Sequence, residues 1–376
     1  MRESFNVLLP PAVGFRLSLI LKLLARNRVK PKYYFRAFLT LLINIINAPF
    51  RLYERLFINP RIARVRVPDD PIFIIGHWRS GTTHLHNLLS QDKQMGYVTT
   101  YQGVFPDTMF TWLGKLIFKN FMSLLIPSTR KGDNVKLDPE FPQEEEFIPG
   151  MHIPFCFYYY WMFPRKIMEY YDRYVRLNGT SDKMMKAWSS EYLMLIKKAL
   201  KNTGRTKYVS KNPTNTGRIP HLLKIFPHAK FIHIHRNPVE VYISTKHFLS
   251  KLLPFLQLNE LTVEEMKENI IYIYKEIMAQ FIHDKPLIPK GHFIEIRFED
   301  LEADPLREVG KIYDSFNIPG KEQAMEEMRS YLIETKEYQR NKHFIRKEEL
   351  QKVLETCGFA MERWHYKVPD ELTITD

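Results

Sequence analysis

The chain has 376 residues, 45% of them hydrophobic, so it can bury a large core. Its two cysteines, Cys156 and Cys357, stand far apart without C-x-x-C spacing, which excludes a disulfide framework and a structural zinc site and fits a reducing cytoplasmic setting. A formal net charge of +13, spread along the chain, favours polyanions or an anionic membrane surface; zinc-finger spacing, RNP-type aromatics and basic-zipper heptads are lacking, so nucleic acid is not expected as a partner.

Met1 to Pro11 has an early proline pair and no cleavage site after an apolar core, so a secretory layout is not expected. Residues 1–68 then form a basic, helical N-terminal extension. Phe15, Leu17, Leu19, Ile20, Leu23 and Leu24 interleave with Arg16, Lys22, Arg26, Arg28, Lys30 and Lys32, and a second, apolar helix follows near Phe35 to Phe57. The apolar stretch Ala37 to Phe50 falls short of the roughly 20 residues needed to span a bilayer, so the protein is expected to be soluble or peripheral, at the inner face of the membrane. Two readings are open for this region: docking on an anionic membrane face, or a helical lid on the catalytic core.

From Pro68 the pattern turns α/β. Ile72-Phe73-Ile74-Ile75, Lys207 to Ser210, Phe231 to His235 and His292 to Phe298 read as strands. Leu85 to Leu89, Asp182 to Lys201, His221 to Phe226 and Thr262 to Phe281 read as helices. This alternation predicts a three-layer sandwich around a central, mostly parallel sheet over residues 69–376. The aromatic run Met151 to Phe163 is costly to leave in water and reads as core, with the wall of an apolar acceptor pocket as the alternative.

Ile74-Ile75-Gly76-His77-Trp78-Arg79-Ser80-Gly81-Thr82-Thr83 carries the sharpest signal: a strand, a glycine-bounded turn and a helix start, which gathers N–H groups and a helix dipole at one point. In a nucleotide-triphosphate loop a lysine would stand where Thr82 does; here the cation is Arg79, inside the turn. A guanidinium there can grip a 5′-phosphate and its attached sulfate by paired hydrogen bonds, with hydroxyls from Thr82 and Thr83.

At these residues the sequence resembles the sulfotransferase superfamily, and the arginine form of the loop resembles its bacterial and tyrosylprotein-type branch. The resemblance implies a P-loop-like sulfotransferase fold. It implies 3′-phosphoadenosine-5′-phosphosulfate as donor, held by Arg79, Ser80, Gly81, Thr82 and Thr83, with no metal required. The second family motif matches Phe231 to Ser244: a strand, Arg236-Asn237-Pro238, then a helix, with Arg236 and Ser244 in the places that meet the 3′-phosphate. Lys211, in Ser210-Lys211-Asn212-Pro213, matches the lysine that meets the sulfuryl group; Asn215 stands where the branch often has histidine. Arg340 and Lys342 match a basic loop that closes over the nucleotide.

The reaction so implied is an in-line displacement at sulfur, with Arg79 and Lys211 meeting the charge that builds on the leaving oxygen. The glutamate that tyrosylprotein members use as base has no counterpart in Tyr97 to Gln102. Glu145 or Glu144, within Pro142 to Phe147, is the expected base, flanked by apolar residues that would raise a carboxyl pKa; His77 competes for the role. The aromatic run, the apolar Phe110 to Ile126 region and the amphipathic N-terminus point to a lipophilic alcohol such as a sterol or lipid, with a carbohydrate or glycolipid hydroxyl as the alternative. A P-loop kinase and a non-enzymatic membrane-binding protein are more remote readings, since neither explains Arg79, Arg236 and Ser244 together.

Overall fold

The computed structural model describes residues 12–125, 138–335 and 344–375. By internal contacts the chain divides into two compact units. The first comprises Met1–Pro68, Gly96–Tyr208 and Ser250–Leu261; the second comprises Asp69–Met95, Val209–Leu249 and Thr262–Asp376. Residues 1–68 thus share a unit with residues 96–208 and 250–261, and residues 69–376 are divided between the two units.

The main sheet contains β1 (Ile72–Ile75), β2 (Met95–Gly96), β3 (Lys207–Lys211), β4 (Lys230–His235) and β5 (Phe293–Arg297), in the order β2-β3-β1-β4-β5. β1 lies parallel to both β3 and β4, and β4 parallel to β5. All four residues of β1 are buried, as a central parallel strand covered on both faces requires. The helices Thr82–Leu89, Ile219–Ile225, Pro238–Leu256 and Val263–Asp284 make the connections, so the chain has the mostly parallel α/β sheet that strand and helix alternation predicts. The Val263–Asp284 helix opens on a capping box, in which the Thr262 hydroxyl accepts from Glu265 N and the Glu265 carboxylate accepts from Thr262 N.

In the first unit the aromatic run is core: Phe155, Phe157, Tyr158, Tyr159 and Met162 are all buried. The second N-terminal helix is longer than its apolar composition suggests. A 3₁₀ turn at Pro31–Tyr33, the helix Tyr34–Tyr53, a π turn at Glu54–Ile58 and a last turn at Asn59–Ile62 form one element of 32 residues, long and apolar enough by length and composition to cross a membrane. The widened turn lies just before Pro60, where a backbone donor is missing.

This helix buries its polar side. Arg36, Thr40, Asn44, Asn47 and Glu54 point inward. Arg36 donates to Gln257 O (2.7 Å) and Pro254 O (3.1 Å), Asn44 to Ala12 O (2.9 Å), and Arg51 to Phe15 O (2.7 Å). Glu54 accepts from Phe110 N (2.6 Å) and Lys198 Nζ (3.1 Å), and it starts a chain of buried charge. Lys198 also pairs with Asp107 (2.9 Å), Asp107 with His152 Nε2 (2.8 Å), and His152 Nδ1 with Glu191 (2.6 Å). Burial alone would depress the His152 imidazole, but Asp107 and Glu191 together hold it up at about 9. Lys198 is likewise kept charged against the cost of burial by Asp107 and Glu54.

Candidate active site

The loop after β1 is built by backbone that few residues tolerate. Gly76 has φ +144°, and a Cβ there would come within 2.3 Å of Ile234 O on β4; Gly81 has φ +95°, and a Cβ there would meet the Phe298 ring at 2.2 Å. Between them Arg79 takes φ +70°, a left-handed conformation that costs a side-chain-bearing residue energy and sets the direction of its guanidinium. Thr216 pins the loop's start by accepting from Gly76 N (2.8 Å) and donating to Gly76 O (3.0 Å). Ser80 Oγ donates to His77 O (2.7 Å), and the helix begins at Thr82. The helix start expected after the glycine turn thus falls at the twin threonines, and the helix continues through Leu85 to Leu89.

The two motifs, far apart in sequence, meet in the second unit. Arg79 Nε donates to Ser244 Oγ (3.0 Å), and Arg236 Nη1 to Arg79 O (3.5 Å). Arg79 lies over the Phe248 ring (5.3 Å) and Arg236 over the Phe298 ring (4.5 Å); Glu240 takes the Arg236 guanidinium in two hydrogen bonds of 3.3 and 3.2 Å. Asn237 Oδ1 accepts from Val239 N (3.0 Å), capping the helix that Pro238 begins. Two half-buried guanidiniums, a hydroxyl and a helix start meet beside a glycine turn, and donors of that kind can hold phosphate groups.

Lys211 ends β3 in register with Ile74 and is 1% exposed. Its charge is felt at His86 in the helix after the loop, where burial first and then Lys211 drive the imidazole pKa well below its ordinary value. His77 is also buried, packed against Tyr274 (5.0 Å) and Trp78, with Nδ1 on Trp78 O (2.7 Å); burial lowers its pKa to about 4, so the ring is neutral at pH 7.

The glutamate triplet belongs to the first unit. Glu145 and Glu146 are buried, the former accepting from Tyr192 OH (2.6 Å) and the latter from Phe157 N (2.9 Å). Glu144 is partly exposed and accepts from Tyr158 OH, whose ring stacks on Trp161 (4.7 Å, 12°). Arg340 and Lys342 lie outside the described residues. Sequence reasoning missed Phe248, Phe298, Thr216 and Glu240. Glu240 had a signal in its i, i+4 spacing from Arg236, whereas the others are contacts across long loops that no local pattern encodes.

The comparisons with known proteins bear on the family and the fold. The sulfotransferase family model matches residues 71–322. The chain is 29% identical over 365 residues to the omega-hydroxy-beta-dihydromenaquinone-9 sulfotransferase Stf3 of Mycobacterium bovis, spanning 95% of this chain and 91% of the relative, and the Mycobacterium tuberculosis protein of that name matches equally. Among solved structures, sulfotransferase STF9 from Mycobacterium avium superposes with a TM-score of 0.67 at 18% identity, and STF1 from Mycobacterium tuberculosis with 0.64 at 16%, each covering 93% of this chain and 90% of the other. Those likenesses carry the fold, while the family match covers the loop, the lysine and the Arg-Asn-Pro motif in one span. The chain belongs to the sulfotransferase family.

Proposed function

We propose that this sulfotransferase moves the sulfuryl group of 3′-phosphoadenosine-5′-phosphosulfate to a hydroxyl of a lipophilic acceptor. The observation that carries the donor assignment is the meeting of Arg79 with Ser244 and of Arg236 with the Arg79 carbonyl, which joins a 5′-phosphate cradle to cations suited to a second phosphate. Close backbone approach at Gly76 and the N–H groups opening at Gly81 and Thr82 fit the 5′ end. In this reading Ser80, Thr82 and Thr83 serve the same end. Arg79 and Lys211 stabilise the charge on the departing phosphate oxygen as the acceptor oxygen bonds to sulfur.

The acceptor's proton goes to a carboxylate. Of the two expected candidates, Glu144 is the one that solvent reaches, while Glu145 is 1% exposed. His77 is the less accessible candidate, since its ring is buried and its Nδ1 is already on Trp78 O. A lipid alcohol as acceptor is supported by the relatives whose name specifies a hydroxylated dihydromenaquinone, and by the apolar exposed surface of the first unit. Peripheral contact of the N-terminal helices with a membrane belongs to this reading.

Calorimetric titration with 3′-phosphoadenosine-5′-phosphate, AMP and ATP tests it. The bisphosphate is expected to bind best, and Arg236→Ala to lose about 1.5–3 kcal/mol of that binding, the worth of a hydrogen bond to a charged group. Equal or better binding of ATP would overturn the donor assignment. Sulfated product from a long-chain isoprenoid alcohol, and none from a monosaccharide, is the expected acceptor result by mass spectrometry.

A further inference from the structure

The Pro31–Ile62 helix is inside out. Arg36, Thr40, Asn44, Asn47 and Glu54 face the interior of the first unit, while Phe35, Phe38, Leu42, Ile45, Leu52 and Leu56 are 41–59% exposed. Their spacing places them on one stripe of the helix. Leaving such a stripe in water forfeits the stabilisation that burial gives apolar area, and contiguous exposed patches of this kind mark interaction surfaces.

A second helix of the same unit repeats the arrangement. In Trp112–Leu125 the inner residues Phe118 and Met122 pack beside Phe50 and Ile43 of the long helix, with the Phe50 and Phe118 rings 5.7 Å apart and edge-on. Its outer residues Trp112 (78% exposed), Leu113, Leu116 and Ile117 face away from that packing. Two helices lying side by side therefore both present apolar outer faces.

The charge that these segments themselves carry is almost all of one sign. Between Ala12 and Pro68 there are twelve lysines and arginines and a single acid, Glu54, which is fully buried on Lys198. Lys115 and Lys119 are the only charged residues of the Trp112–Leu125 helix. Glu140 meets Lys119 and Glu260 meets Lys30 and Lys32, but Arg26, Arg28 and Arg55 are exposed and the margin is predominantly basic; apolar stripes with an exposed tryptophan and such a margin match an anionic phospholipid surface.

We propose that these two helices seat the first unit in one leaflet of an anionic membrane, with the stripes in the acyl boundary and Arg26, Arg28 and Arg55 at the headgroups. The long helix lies in the surface and does not cross it. Its polar side is tied to the unit along its length, from Tyr33 on Glu260 through Arg36 and Asn44 to Glu54 on Lys198. Crossing the bilayer would carry the charged Lys198 and Asp107 into hydrocarbon, at several kcal/mol each. The inference deepens the proposed function, and rests on it only for the lipid alcohol that the surface would bring within reach.

The test is flotation of the full chain with vesicles of phosphatidylglycerol and phosphatidylcholine in equal parts, beside vesicles of phosphatidylcholine alone. Binding is expected to be strong on the first and weak on the second. Neutralising Arg26, Arg28 and Arg55 to Gln should cost roughly a hundredfold on the anionic vesicles, given the usual worth of a basic residue near such a surface. The variant Phe38→Gln, Leu42→Gln, Ile45→Gln, Trp112→Gln, Leu116→Gln should abolish flotation while keeping the wild-type melting temperature and its binding of 3′-phosphoadenosine-5′-phosphate. A wild-type chain that fails to float, or that light scattering shows to be a dimer which this variant makes monomeric, overturns the proposal in favour of a second copy. Resistance to alkaline carbonate extraction overturns the one-leaflet placement. Flotation without bisphosphate binding would leave the docking surface standing and remove the donor assignment.

Discussion

Two helices of this molecule obey opposite rules. The Val263–Asp284 helix of the second unit buries Ile270, Ile273, Tyr274, Ile277 and Phe281 and turns Glu264, Glu268 and Lys275 outward, whereas the Pro31–Ile62 helix of the first unit buries Arg36, Asn44 and Glu54 and turns Phe35 and Leu56 outward. Both sequences show the same periodicity. A periodic pattern fixes that a helix has two faces, and the medium on the far side decides which of them is covered. The second unit is patterned for water around it; the first has a flank patterned for something less polar.

That contrast can be broken at several points. The largest effect is expected from Lys198→Ala, which strands Glu54 and Asp107 without their shared cation and should cost about 3–5 kcal/mol, read as a fall in the denaturant midpoint. Arg79→Ala acts in the other unit and on another quantity. It should lower kcat by about 10²–10³-fold, as removal of one transition-state donor does, with little change in melting temperature. Gly81→Ala asks whether the second unit's loop is as tightly determined as its φ of +95° and the Phe298 contact indicate; a loss of about 1–3 kcal/mol with weakened bisphosphate binding is expected.

The pH dependence of stability sharpens the comparison further. His152 is held at about 9 in the folded protein against an ordinary 6.5, so its contribution is complete below about pH 6.5 and lost as pH rises through 9. Chemical denaturation across that window should show the decline, and His152→Gln should flatten it. The smallest effect is expected from Thr216→Val, which removes two hydrogen bonds to Gly76 and should cost about 1 kcal/mol, measured by thermal unfolding.

Much of the second unit was legible in the sequence for a physical reason. A parallel strand covered on both faces needs an unbroken apolar run, and a phosphate turn needs glycine at fixed places, so Ile72–Ile75 and Gly76 to Thr83 announce themselves locally. What crosses the chain did not. Phe248 beneath Arg79 and Thr216 beside Gly76 are visible only once the strands are ordered. In the first unit the helix expected near Phe35 to Phe57 runs from Pro31 to Ile62, and the apolar stretch Ala37 to Phe50 understated its length as a candidate span, because hydropathy counts side chains while the backbone ladder continues regardless of them. Within the glutamate triplet the sequence singled out Glu145 or Glu144 without choosing between them; the fold separates them by giving Glu145 and Glu146 to the interior and leaving Glu144 partly exposed.

The charge chain from Glu54 through Lys198, Asp107 and His152 to Glu191 has a practical consequence for how the protein is dissected. Cutting the chain after Pro68 would remove Glu54 from Lys198 and Phe110, Arg36 from Gln257 and Pro254, and Tyr33 from Glu260 in one stroke, leaving a wound of unmatched donors and acceptors along residues 96–208 and 250–261. A truncated protein that precipitates would therefore say nothing about what the helices do in the cell. Point changes confined to their outer stripes leave the seam intact and are the cleaner scalpel.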